Sequence, residues 1–175
     1  EDGKEMLALL ESGAIEYATV TKIGAYSESA DELVHHVQAI LEHRLVDVEA
    51  IKAAEFKIVL DAVNSVGALS IPVLCDALGV ACKTINGELK GQFAHNPEPL
   101  PAHLEELMAV VKREGADLGV AVDPDVDRLA LIGKGGTWIG EEDTLVTVAD
   151  YVLRHEPGPV VSNLSSSRAL ADLAK

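Results

Sequence analysis

Aromatic residues are scarce in this 175-residue chain: three tyrosines, two phenylalanines and one tryptophan make up 3%. A core must therefore be aliphatic, and 48% apolar residues is enough to fill one domain with some chain to spare. Basic residues are also few, 14 against 29 acidic ones, for a net charge of −15. A chain this negative repels phosphate backbones and anionic bilayers, which excludes nucleic acid and membrane surfaces as partners. Long apolar runs are missing, so no membrane span is expected. The opening Glu1-Asp2-Gly3 carries no signal-peptide pattern and reads as a piece excised from a longer chain. The only cysteines, Cys75 and Cys82, fit no metal or redox spacing and read as free thiols of a cytoplasmic protein.

What is present is organised by hydrophobic period. Residues 1–28 combine a short helix from Lys4 to Leu10 with a β-rich stretch, Tyr17-Ala18-Thr19-Val20. Ser29-Ala30-Asp31-Glu32 reads as a capping box ahead of Leu33, Val37, Ile40 and Leu41, which share one helical face. His35, His36 and His43 lack ligand spacing and read as surface or packing residues. After a second short helix, Asp47 to Ala54, strands and helices alternate. The first strand is Phe56 to Leu60, followed by the turn Asp61–Gly67. Pro72 belongs in a first helical turn, which predicts a helix from about Ser70 to Gly79. A strand over 80–85, a proline-rich loop at 96–101 and an amphipathic helix ending near Gly115 come next.

Two apolar runs, Leu118 to Val122 and Leu129 to Ile132, then follow with only six residues between them. That is too short for a parallel crossover, so the second strand runs antiparallel to the first. The expected fold is a three-layer α/β/α domain in β-α-β-α-β-β order. Its mixed sheet has four strands, three parallel and the last antiparallel. Gly140-Glu141-Glu142-Asp143 opens a further helix, where the acids complement the helix dipole. Pro157-Gly158-Pro159 breaks it. Val160 to Leu164 reads as the first strand of another domain, with Ser165-Ser166-Ser167-Arg168 capping a helix.

The six residues between those two strands carry the chemistry: Asp123-Pro124-Asp125-Val126-Asp127-Arg128. Carboxylates at alternate positions in a tight turn converge on one point and repel one another unless a cation or protons intervene. Oxygen-only donors suit a hard cation such as Mg²⁺. Arg128 stays protonated and can hold a phosphate bidentately, or it can pair with a neighbouring acid. An EF-hand is excluded, because Arg128 and Lys134 stand where that loop needs glycine and glutamate. Two readings stay open beside a metal site. One is an aspartyl-phosphate phosphotransferase with Asp123 as nucleophile; the other is a binding module with a structural acidic turn.

This turn, the preceding Asn96-Pro97-Glu98-Pro99 and the following Gly140-Glu141-Glu142-Asp143-Thr144-Leu145 resemble the second domain of the α-D-phosphohexomutases, the phosphoglucomutase/phosphomannomutase family. The resemblance covers roughly residues 30–175. It implies domain II over 29–156, the end of a preceding domain or linker over 1–28, and the start of domain III from 157. It also implies a four-domain enzyme with its active site in the cleft between domains I, II, III and IV. Asp123, Asp125 and Asp127 would bind Mg²⁺, and Arg128 would lie beside a phosphoserine of the first domain. The whole enzyme would pass that phosphoryl group to a hexose phosphate through a bisphosphate intermediate, and this piece alone would be inactive. Ala94-His95-Asn96-Pro97 is similar to the family's catalytic serine motif but has alanine in the serine position and belongs with Glu98-Pro99 instead. The family loop often has glycine where this chain has Pro124 and Val126, so negative φ angles are expected at both.

Overall fold

The computed structural model describes residues 2–29 and 31–174, and the chain divides into two compact units, Glu1–Asp31 and Glu32–Lys175. In the first unit, helix α1 (Asp2–Ser12) is longer than expected and buries none of its residues. Tyr17 to Val20 is not a strand. It leads into a single 3₁₀ turn over Val20–Lys22. An isolated extended run has no partner for its backbone groups, so β propensity alone does not make it a strand. The expected capping box includes Ala30, which lies outside the described residues.

The second unit begins with α2 (Glu32–Leu41) and α3 (Val48–Ala53), the latter capped by Asp47, whose carboxylate accepts from the Ala50 N–H at 2.9 Å. Next come β1 (Lys57–Asp61), α4 (Gly67–Ala77), β2 (Ala81–Ile85), α5 (Glu105–Glu114) and β3 (Leu118–Val122). The chain continues through β4 (Leu129–Gly133), β5 (Thr137–Ile139), α6 (Glu141–His155) and α7 (Ala169–Leu173). The sheet order is β2-β1-β3-β4-β5. β1 pairs parallel with β2 and β3, and β4 runs antiparallel to β3, as the six-residue connection required.

Three expectations are corrected here. The sheet has five strands, because Thr137–Ile139 adds antiparallel to β4. Gly135 and Gly136, at φ +81° and +85°, close the tight hairpin that returns it. Three residues are too few to show a period, so β5 was invisible in the sequence. Helix α4 starts at Gly67 rather than Ser70 and carries Pro72 inside it. The turn N–H groups of Ala68 and Leu69 bond to Ser65 O and Val66 O, so the helix is already nucleated before the proline. Finally, Val160 to Leu164 forms no strand; Val161 and Leu164 are fully exposed.

Alternation along the strands builds two apolar layers. Val59, Ala121, Ala130 and Ile132 face α5, whose Leu107, Val110 and Val111 close that side. Leu60, Ala62 and Val122 face α4, with Ala68 and Ile71 packed against them. The α/β/α layering therefore holds. Beyond α4 the same sheet face leaves an apolar groove of about 630 Å³, lined by Ile58, Leu118, Val120, Leu129 and Leu131 among others. Among the described residues, no helix is long and apolar enough to cross a membrane.

Gly119 is a tight point of the α5 layer. A Cβ there would stand 2.7 Å from Val111 Cγ2 and 2.9 Å from Ile132 Cβ. Gly119→Ala is expected to destabilise the domain by about 1–3 kcal/mol, the usual cost of overpacking, measured by urea denaturation. A second expectation concerns Asp117, at the start of β3. It accepts from Lys134 Nζ at 3.0 Å and from the Lys57 N–H at 3.1 Å. The Lys134 bond, then the Lys57 bond, hold its pKa below the ordinary 3.8. Its stabilising effect is complete above that value and fades as pH falls through the lowered one. A carboxyl-detected NMR titration should show a depressed midpoint for Asp117 that moves up in Lys134→Ala.

Candidate metal centre at the end of β3

Parallel strands bring their carboxyl ends to one edge of the sheet, where ligands gather in open α/β folds. Here that edge holds Asp61 at the end of β1, Asn86 just past β2 and Asp123 just past β3. Asp123 is only 1% exposed, whereas Asp125 and Asp127 are exposed. One carboxylate oxygen from each can be chosen so that all three lie within 4.8 Å of one another. The alternating spacing in the sequence thus converges as expected.

The turn is fixed by the side chain it surrounds. The Asp123 carboxylate accepts from the Arg128 backbone N–H at 3.1 Å and from Arg128 Nε at 2.9 Å. Its own carbonyl accepts from the Val126 N–H at 3.2 Å. From the neighbouring β1–α4 turn, Ser65 Oγ donates to the Pro124 carbonyl at 2.7 Å.

Val126 stands at φ +64°, which corrects the expectation of negative φ at that position. For a β-branched residue this costs about 1–2 kcal/mol. Two features offset it: the hydrogen bond to Asp123, and the packing of the Val126 side chain against the Leu60, Ala62 and Val122 cluster. A left-handed residue bends the chain, so that the three carboxylates converge instead of spreading along one face of an extended strand. The neighbouring turn is similarly contorted, with Val63 and Asn64 at φ +45° and +58°.

The electrostatics are those of crowded carboxylates. Burial pushes the Asp123 carboxyl up, but hydrogen bonds from the Arg128 backbone, Asp127 and the Arg128 guanidinium outweigh it, and the net shift is downward. Asp127 moves the other way: its hydrogen bond with Asp123, then the charges of Asp125 and Asp123, raise its pKa. Asp127 therefore holds its proton more readily than an isolated aspartate would. A donor set of oxygens only, whose carboxylates crowd one another, matches the demand of a small hard cation. Among the described residues it is the one group of three such ligands.

Arg128 is paired rather than free. Its guanidinium contacts Asp123 and, through Nη1, the carboxylate of Glu98, with Asp127 at 3.7 Å. These acids raise its pKa further, Glu98 first. The side chain is still 44% exposed, so its outer edge faces solvent. Glu98 was read in the sequence only as part of a motif, since its partner lies thirty residues away and no local spacing relates them.

Asp61 was also missed. It is 1% exposed, and its carboxylate is met by the Val63 N–H at 3.0 Å, by Asn86 Nδ2 at 3.2 Å and by His95 Nε2 at 3.0 Å. This buried hub anchors the 95–98 segment that delivers Glu98 to Arg128. The sequence signal available was its position, an acid closing a buried parallel strand. His35, His36 and His43 take no part in the aspartate cluster. Glu141, Glu142 and Asp143 occupy the first turn of α6, where they complement its dipole.

Comparison with known proteins places these observations. The family described as phosphoglucomutase/phosphomannomutase, alpha/beta/alpha domain II, matches residues 33–136. A phosphoglucomutase/phosphomannomutase of Thermococcus kodakarensis is 40% identical over 147 residues, which cover 83% of this chain and 32% of that protein. A phosphoglucosamine/phosphogalactosamine mutase of Sulfurisphaera tokodaii is 44% identical over 115 residues, 64% of this chain and 25% of that protein. A solved phosphoglucomutase/phosphomannomutase family protein of Burkholderia thailandensis shares the fold, with a TM-score of 0.69 at 24% identity over 98% of this chain and 36% of its own. The chain thus spans about a third of the length of such relatives. With the family pattern running from α2 through the Asp123–Arg128 turn to the β4–β5 hairpin, the chain belongs to the phosphoglucomutase/phosphomannomutase family and carries its α/β/α domain II.

Proposed function

We propose that this chain supplies the metal-binding part of a phosphohexomutase, a mutase that shifts a phosphoryl group between the 1 and 6 positions of a hexose phosphate. The observation that carries the reading is the convergence of Asp123, Asp125 and Asp127 within 4.8 Å on the ligand-binding edge of the sheet. These three carboxylates would hold Mg²⁺, which when bound neutralises charge on a phosphoryl oxygen.

The chain's own residues supply positioning. Asp123 orients the turn from inside, and Ser65 ties it to the β1–α4 turn. Glu98 and Asp123 hold Arg128 from one side, so its exposed edge is presented in a defined direction to a phosphate on the facing side. In the full-length protein, that phosphate would sit on a serine of another domain, and the residues over 29–156 would act as the second domain of the set. Such a turn is well suited to phosphoryl transfer, which depends mainly on placement and electrostatics.

The aspartyl-phosphate alternative asks for an open in-line approach to an Asp123 oxygen. At 1% exposure that carboxylate is reachable by an ion shared with Asp125 and Asp127 more readily than by a phosphoryl group, which favours the metal role.

Two outcomes test the proposal. In a backbone NMR titration with Mg²⁺, saturable shifts are expected at residues 123–128 and in the Asp61–Gly67 turn. In Asp125→Asn the affinity should fall at least about tenfold, the equivalent of about 1.4 kcal/mol. Diffuse shifts common to both proteins would refute a metal site in this chain. In the full-length protein, Arg128→Lys is expected to lower turnover on glucose 1-phosphate roughly a hundred-fold, because an ammonium cannot keep both carboxylates and a phosphate in one plane. Unchanged turnover would remove Arg128 from the site.

A further inference from the structure

Cys75 and Cys82 fit no recognised motif, yet the fold sets them against each other. Cys75 sits in the last full turn of α4 and is 5% exposed; Cys82 is the second residue of β2 and is half-buried. Gly79, at φ +67°, reverses the chain between them, and the Val80 N–H donates to the Cys75 carbonyl at 2.9 Å. The strand therefore starts back beneath the helix that precedes it. On β2, Cys82 faces α4 and packs beside the Leu60, Ala62 and Val122 cluster. There each thiol lies close enough to the other to shift its acidity. Neither belongs to the aspartate centre.

We propose that Cys75 and Cys82 form a reversible dithiol–disulfide site, oxidised by a hydroperoxide to a bridge between the end of α4 and the start of β2. Disulfides need close, facing Cβ positions, and two cysteines on the facing sides of one helix–strand turn require little backbone movement to bridge. The roles of the two thiols differ. The hydrogen bond from Cys75, assisted by one from Thr84, draws the Cys82 thiol down against the opposing effect of burial. The same Cys82 contact, then burial, pushes Cys75 up. Cys82, the less buried of the two, is thus the thiolate and the nucleophile.

The chemistry balances without further reactants. The Cys82 thiolate attacks the distal oxygen of the hydroperoxide, the O–O bond breaks, and an alcohol (or water, from hydrogen peroxide) leaves with a proton. Cys82 is then a sulfenic acid. The Cys75 sulfur attacks the Cys82 sulfur, the S–O bond breaks, and the hydroxyl departs with the Cys75 proton as water. Two thiols and one hydroperoxide become one disulfide, one alcohol and one water. The sulfurs lose two electrons and the peroxide gains them.

The test is exposure of the chain to hydrogen peroxide, followed by alkylation and mass spectrometry of a non-reducing digest. Expected are a loss of about 2 Da, a Cys75–Cys82 linked peptide, a thiol titre that falls from two to none, and full recovery with dithiothreitol. In Cys75→Ser, Cys82 should stop at the sulfenic acid and be trapped by dimedone. In Cys82→Ser, oxidation at Cys75 should slow at least about tenfold. Bridges between chains only, sulfinic acid at either residue without a bridge, or an undiminished thiol titre would each overturn the proposal.

Discussion

Repulsion among carboxylates gathered at the end of a buried strand is the constraint on which the rest of the structure turns. Asp123 cannot retreat, because Val122 before it is committed to the sheet and its own side chain is enclosed. Its charge is answered from two directions by one residue, the backbone and the side chain of Arg128. That pair of hydrogen bonds sets the curvature of the turn, and Val126 takes the left-handed conformation within it. A local cost in backbone energy is therefore a consequence of the need to solvate one aspartate from within the protein.

The same demand spreads outward. Arg128, drawn in by Asp123, brings Glu98 to it from a loop far away in sequence. Glu98 is in place because its segment is anchored by His95 on the buried Asp61, itself the last residue of the neighbouring strand. Ser65 completes the circuit by binding the Pro124 carbonyl. Three loops at one edge of the sheet are thereby cross-linked through polar groups that are largely satisfied within the protein, so the exposed aspartates project from a stiff base. A stiff base spares the site the cost of ordering itself around whatever binds there.

Away from that edge, the fold follows from packing of small and branched aliphatic residues, with Trp138 leaning on the α5 layer. Close approach at Gly119 substitutes for bulk. The cysteine pair belongs to this packed region. Its proximity depends on the sharp reversal at Gly79 and on which face of β2 Cys82 occupies, and the spacing of the two residues conveys neither.

The amino-acid sequence by itself determined the alternation of strands and helices, the antiparallel return after β3, the α/β/α layers and the aspartate turn. All of these are local: a period of two or 3.6, a connection too short to cross over, or charges a few residues apart. Thr137 to Ile139 was too short to declare itself, and Val160 to Leu164 had strand composition without a strand to pair with. The left-handed Val126, the pairing of Arg128 with Glu98, the burial of Asp61 and the meeting of Cys75 with Cys82 were decided only by tertiary structure. Each results from groups distant in sequence or on different elements competing for the same buried space, where an unpaired charge costs more than a strained backbone.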